Sequence, residues 1–403
     1  MFKDYIRFIF GTFQERKLRS FLTMVGIVIG IAMIVTLISL GQGLQESIKS
    51  QFTEAGINSI MISPGGAFFG LGSVGGPKLT NTDIKAIESV PGVKTVGGWV
   101  YKISQVQSDH EKKYTFVIGL PLGEAYDMVT GTMNFKVIKG REIKDSDFYK
   151  CNIGIDLYEG KFFKKSINLR DKLTIEGKNF EVVGIVGRIG NPQDDSQIYI
   201  PLEAAYEIFG VKEEYNNILA SVVDEANSEK IAEDIKSKLR KERDVKEGEE
   251  DFSVMTFAQL ISTYNSILFI VQAVLIGLAA ISLLVGGVGI MNTMFTSVLE
   301  RTREIGIMKA IGARNKDIIM IFLFEAGVLG LAGGIIGTLI GAGISKLVEF
   351  IAMNVGYSIL RVSISFWLIF GSILFSFLVG CLSGIVPAIR AAGLKPVEAL
   401  RYE

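Results

Sequence analysis

The sequence predicts an α-helical membrane protein with four transmembrane helices and a mixed α/β, two-lobed extracytoplasmic domain inserted between helices 1 and 2. Three observations carry this fold class. Four long runs, within Ser20–Gln45, Ser266–Leu299, Ile318–Ser345 and Val362–Ile389, are almost free of charge, and each can cross a hydrocarbon layer of about 30 Å. The long stretch between the first two runs changes to strand-like alternation broken by Gly, Asn and Asp turns. Finally, a formal net charge of zero hides a split: residues 43–265 hold 27 Lys/Arg against 33 Asp/Glu, and the remainder holds 15 against 9. The positive excess flanks the apolar runs on one side, which places that side and both termini in the cytoplasm. It gives no reason to invoke nucleic acid.

Residues 1–20 read as a cytoplasmic amphipathic helix. Phe2, Ile6, Ile9 and Phe13 share one helical face, with Lys3, Asp4, Arg7 and Gln14 elsewhere, as in a helix lying in the membrane interface. A tail packed on the bundle is the alternative. The first span, residues 21–42, is too long for a signal-peptide core and no A-x-A-like site follows it, so it is read as uncleaved. Gly26 and Gly30 form a small-xxx-small face that lets another helix approach. Leu44, Ile48 and Phe52 continue the helix at a spacing of four, and Phe257, Leu260, Ile261 and Tyr264 repeat such a stripe before the second span. The two extensions are expected to pair as a stalk, with Leu44 and Ile48 facing a second copy.

Residues 43–265 form the outer domain. A strand at Ile60–Ile62 leads into the Gly-rich loop Gly65–Gly76, which lacks the G-x-x-x-x-G-K-[ST] spacing of a phosphate loop. Thr80–Val90 is patterned as a helix, and Val93–Val106 and Lys113–Ile118 alternate like strands. The only histidine, His110, falls in the polar turn between them. A second lobe, about residues 120–210, has strands at Lys172–Glu176, Phe180–Val186 and Gln197–Ile200. Asn191-Pro192 and the acid pair Asp194-Asp195 read as a solvated loop, because no further ligands recur at a calcium-loop spacing. Asn217–Val223, Ser228–Glu242 and Phe252–Met255 form a β-α-β return that is expected to complete one mixed sheet.

The second span, residues 266–292, lies in an uncharged run long enough to exceed the bilayer core. Gly286, Gly287 and Gly289 mark the place where an irregularity is expected. Residues 293–317 form a charged cytoplasmic segment, with Arg301, Arg303, Lys309, Arg314 and Lys316 against Glu300, Glu304 and Asp317. Ile305, Met308 and Ile311 lie at helical spacing within it and predict a small amphipathic helix. The third span, 318–345, carries Gly330, Gly334, Gly337 and Gly341 as a close-packing face. It also carries one acid, Glu325, which either pairs within the bundle or serves a proton or substrate path. A short outer loop (346–363), the fourth span (364–388, with Pro387 near its inner end) and a cytoplasmic tail (389–403) complete the chain.

The stretch MNTMFTSVLERTREIGIMKAIGAR closely resembles the MacB/FtsX-like permease family of ABC transporters, the mechanotransmission type. LRSFLTMVGIVIGIAMIV near the start and GIVPAIRAAGLKPVEALRYE at the end extend the resemblance over all four spans; the outer domain matches loosely. The resemblance implies a permease subunit without ATPase activity of its own, worked by two copies of a separate ABC ATPase subunit. It implies a homodimer or a pair with a close paralogue in the cell membrane, and an extracytoplasmic adaptor as a further partner. Export is the function it implies, with regulation of an extracellular hydrolase or lipoprotein extraction as alternatives. The residues it assigns to ATPase coupling are Glu300, Arg301, Arg303, Glu304, Ile305, Gly306, Met308, Lys309, Gly312, Ala313 and Arg314. No cofactor or metal is expected, and no G-x-S-x-G, HExxH or CxxC motif occurs. Cys151 and Cys381 fall in separate regions and are not expected to pair.

Overall fold

The computed structural model describes residues 17–54, 58–65, 77–223, 227–358 and 360–400. The amphipathic stripe of residues 2–15 and nearly all of the Gly-rich loop lie outside the described residues, as do the side chains of Ile48 and Phe52. The chain forms two compact units. One comprises the apolar helices: residues up to Gln45, Ser266–Ile351, and Leu360 onward. The other comprises Glu46–Asn265 with Ala352–Ile359.

After the helix α1 (Lys17–Glu54), the second unit begins with β1 (Ser59–Pro64), β2 (Leu79–Thr80), α2 (Asn81–Glu88) and β3 (Val93–Ser108). β11 (Asn217–Val222), α7 (Ser228–Glu242) and β12 (Phe252–Thr256) come last. Their strands lie in the order β12-β1-β11-β3, and each neighbouring pair is antiparallel. This is a split β-α-β sheet, so the expected return is present and completes a purely antiparallel part of the sheet. Alternation decides its faces. Ile60, Ile62, Ile218 and Ala220 pack with Ile87, Ile231, Ile235 and Leu239 of α2 and α7. On the opposite face Met61, Trp99 and Leu219 pack with Phe257 and Leu260.

The second lobe grows from β3. Its first half pairs with β11 and its second half with β4 (Glu111–Leu120). From β4 the ladder runs through β9 (Ile198–Pro201), β6 (Lys150–Gly154), β8 (Lys178–Val186) and β7 (Lys172–Ile175), and β7 pairs back to β3. Six strands therefore close into a ring, which removes exposed edges. The parallel pairs β4/β9 and β6/β8 are what make the sheet mixed. Val106, Val117, Ile153, Leu173, Ile175, Val182 and Ile198 join the same buried cluster as the first sheet, so one core runs through both lobes. The β7–β8 hairpin turns at Glu176-Gly177, both at positive φ, which suits the twist of adjacent strands. The remaining elements here are β5 (Val137–Gly140), β10 (Glu214–Tyr215) and the short helices α3 (Glu124–Thr132), α4 (Ile155–Tyr158), α5 (Pro192–Asp195) and α6 (Leu202–Phe209).

Three buried carboxylates fasten this unit. Asp83 caps α2 through the Thr80 amide (2.7 Å) and receives Arg243 Nε at 2.8 Å; Arg243 also reaches Asp251 at 2.6 Å. Asp147 pairs with Arg141 and, at 2.8 Å, with Lys150. Those hydrogen bonds, Arg141's foremost, hold its carboxyl well below the usual carboxylate range. The third corrects a sequence expectation. Asp194 and Asp195 do not sit in a solvated loop: they end the one-turn helix α5, capped by Asn191. Asp195 is fully buried, accepting from the amides of Ile189 (2.6 Å) and Gly190 (3.3 Å) and from Arg188 (3.2 Å). Its partners come from sequence neighbours that fold back on it, which spacing alone does not reveal. His110 is exposed in the β3–β4 turn, and both cysteines are free.

Among the described residues, α1, α8 (Phe257–Glu300), α10 (Asn315–Val355) and α11 (Phe366–Gly393) are the four helices long and apolar enough to cross a membrane. The expected irregularity at Gly286–Gly289 is absent: α8 is continuous. These glycines serve contact instead. A Cβ on Gly26 would lie 2.7 Å from the Gly286 Cα, and one on Gly287 would lie 2.7 Å from Ser383 Oγ. The glycine face of α10 is divided between two neighbours. Gly337 and Gly341 receive α1, where an added Cβ would come within 3.0 Å of Ile31 and Val35 respectively. Gly330 and Gly334 meet Gly380 and Ser376 of α11. α1 thus packs between α8 and α10, and α10 between α1 and α11. Small residues let backbones approach where lipid offers no hydrophobic drive between helices. α10 continues through Lys346 and Glu349 to Val355, past the charge at which hydropathy ends the span.

Candidate functional site

The charged segment folds as a separate short helix, α9 (Thr302–Ala310), interrupted from α8 only at Arg301. Thr302 Oγ1 donates to the carbonyls of Val298 (3.1 Å) and Leu299 (2.8 Å), which turns the end of α8 into the start of α9. Gly312, at φ +104°, ends α9. Its amide donates to Lys309 O (3.1 Å) and the Ala313 amide to Met308 O (3.0 Å), the paired bonds of a left-handed glycine cap. Asp317 then accepts the Arg314 amide at 3.0 Å as α10 begins.

This geometry sorts the sequence-predicted residues. Thr302, Ile305 and Gly306 are buried, and Met308 and Ala313 pack against the bundle core. Arg303, Glu304, Gly312 and Arg314 are exposed. Ile311 departs from the expected stripe: it is 81% exposed, although its amide still bonds Ile307 O at 3.1 Å, because six residues on from Ile305 at 3.6 residues per turn leaves it well off the buried face. Ile307, 47% exposed, lies outward with it. The outward face of α9 is therefore Arg303, Glu304, Ile307, Ala310 and Ile311, apolar residues beside charges.

Two cations of the segment are engaged within the bundle. Arg301 Nη1 lies 3.0 Å from Glu325 Oε2, with the side chains only 16% and 13% exposed. Glu325 is thereby an internal partner of Arg301. Lys309 Nζ donates to Ala392 O (2.6 Å) and Leu394 O (2.7 Å), carbonyls at the C-terminal end of α11, where a cation also meets the negative end of the helix dipole. Arg390 lies over the Phe295 ring at 4.9 Å. The final helix, α12 (Pro396–Leu400), packs on α9. The sequence did not single out α12 or the clamp at Lys309. The one available signal was that Lys309 stands four residues after Ile305, beside the buried face. No group of metal-binding residues occurs among the described residues.

The family model described as FtsX-like permease C-terminal matches residues 276–396, which contain α9, and the MacB-like periplasmic core domain matches residues 20–238. The chain belongs to the MacB/FtsX-like ABC transporter permeases. A relative, an uncharacterized ABC transporter permease of Methanocaldococcus jannaschii, is 41% identical over 99% of this chain and 98% of its own length. The uncharacterized ABC transporter permease YknZ of Bacillus subtilis is 32% identical over 99% of both chains. The macrolide export ATP-binding/permease protein MacB of Bdellovibrio bacteriovorus is 33% identical over 98% of this chain, which spans 61% of that longer protein. As an ABC permease with four apolar helices, this is a multi-pass membrane protein whose mixed α/β extracytoplasmic domain is inserted after the first helix.

Proposed function

We propose that this permease subunit receives a separate ATP-binding subunit, two copies per pair of permease chains, on the outward face of α9 and relays its movement to the extracytoplasmic domain, driving export. The observation that carries the reading is the exposure of Arg303, Glu304, Ile307 and Ile311 on a helix whose other face is locked into the bundle. A lever needs a free face for the driver and a fixed face for the load. Arg301 bound to Glu325 and Lys309 bound to the end of α11 supply the fixation. In this reading α9 is cytoplasmic, as are both termini, and the permease hydrolyses no ATP itself. The MacB-like core domain match and the macrolide export relatives support export over a regulatory role. Two copies of the chain, or one with a close paralogue, face each other through helices 1 and 2 near Leu44 and Ile48, and an extracytoplasmic adaptor completes the assembly.

The test is charge reversal of the exposed pair, Arg303→Glu with Glu304→Lys, in the complex purified with its ATP-binding subunit. The proposal expects normal folding and ATP hydrolysis that no longer responds to the permease. Hydrolysis coupled as in the wild type contradicts it.

A further inference from the structure

We propose that the C-terminal helix α12 is the second half of the docking surface, so that the ATP-binding subunit is held by α9 and α12 together. This rests on the reading of α9 as the docking face. The two helices are separated in sequence by both α10 and α11, yet they are built as one body. α12 packs on α9. Ala399 is buried, only 2% exposed. Lys309 of α9 holds the carbonyls of Ala392 and Leu394, at the end of α11 just before the chain turns into α12. The Lys309 ammonium thus sets where α12 stands relative to α9.

What α12 exposes is apolar. Val397 is 79% exposed, and with Ile307 and Ile311 it makes a third outward aliphatic side chain on this body. The surroundings argue for a protein occupant over the lipid core. Lys395 and Glu398 flank Val397, both largely exposed and 3.0 Å apart, and Arg314 and Asp317 stand beyond Ile311 as a second exposed pair. Ion pairs of this kind stay in water, so Val397 and Ile311, their neighbours along the chain, are covered by a partner that arrives from the aqueous side. A core of aliphatic side chains with a charged rim is the anatomy of a protein interface. The occupant is the ATP-binding subunit, because α12 packs directly on the helix proposed to receive it.

The experiment uses the whole permease complex from native membranes, with benzoylphenylalanine placed at position 311 or 397 and the ATP-binding subunit marked by photolabelling with 8-azido-ATP. Cross-links from both positions to the azido-labelled subunit are expected. A cross-link from 311 without one from 397, or one from 397 to lipid or to a second copy, overturns the inference and leaves the role of α9 standing; no cross-link from either overturns both. Two substitutions add a quantitative readout. Val397→Asp is expected to weaken assembly with the subunit at least tenfold, as is Lys309→Met, and Lys309→Arg to restore it. Wild-type assembly of Val397→Asp contradicts the proposal.

Discussion

In the extracytoplasmic domain, fixed structure comes from polar groups put to structural use: Asp83, Asp147 and Asp195 are buried carboxylates, each surrounded by a cation or amide donors. In the helical unit it comes from the absence of side chains, at Gly26, Gly330, Gly337 and Gly380, where backbones meet. Two of its cations are committed within the bundle, Arg301 to Glu325 and Lys309 to the end of α11. The contrast follows from the solvent. Water drives apolar burial in the outer domain and then requires every buried charge to be paired. Lipid removes that drive and leaves close packing as the cohesive term. A buried acid in the first region is therefore ordinary architecture, whereas an exposed apolar side chain next to charges at the end of the second is the feature that calls for a partner.

The largest effect separating the regions is expected at Asp83. Asp83→Ala leaves the Arg243 guanidinium without its main partner in a mostly buried site, a loss of about 3–5 kcal/mol. Limited proteolysis of the full chain should show the outer domain cleaved readily while the helical unit stays protected; protection of both contradicts the assignment. Next comes overpacking in the bundle. Gly337→Leu forces a branched side chain against Ile31 and Val28, costing about 1–3 kcal/mol, and should lower the thermal midpoint in detergent with the outer domain's proteolysis pattern unchanged. Smaller still is the coupling between Arg301 and Glu325. Arg301→Leu alone should destabilise more than Arg301→Leu with Glu325→Leu, with a coupling of about 0.5–3 kcal/mol in a double-mutant cycle. Additive losses would mean that the pair contributes nothing specific.

The same contrast accounts for what was legible in the sequence. The four helices were, because an uncharged apolar run of that length fits little besides a membrane span. The second half of β3 and the first half of β8 were, because buried and less buried residues alternate there. The order of strands and the closed ring were not: β7 meets β3 through partners far apart in sequence, such as Thr174 and Gln107, and no local pattern encodes that. Asp195 was not legible as a buried acid because its donors converge only in the folded turn. At α9, periodicity placed Ile305 and Met308 on the bundle side and failed at Ile311, because steps of three residues drift off one face at 3.6 residues per turn. The glycines of α8 look like weak points in the sequence, since their counterpart, Gly26, lies on another helix.

The smallest stability effect is expected where the functional effect is largest. Ile307→Asp with Ile311→Asp changes only exposed side chains, so the thermal midpoint should hold to within about 0.5 kcal/mol of stability. The decisive measurement is isolation of this double variant and of the wild type from native membranes in mild detergent, followed by 8-azido-ATP labelling of what remains bound. The account predicts an ATP-binding subunit with the wild type and its loss from the variant. A variant that keeps the subunit, or a wild type that carries none, would contradict the claim that α9 is where this permease is driven.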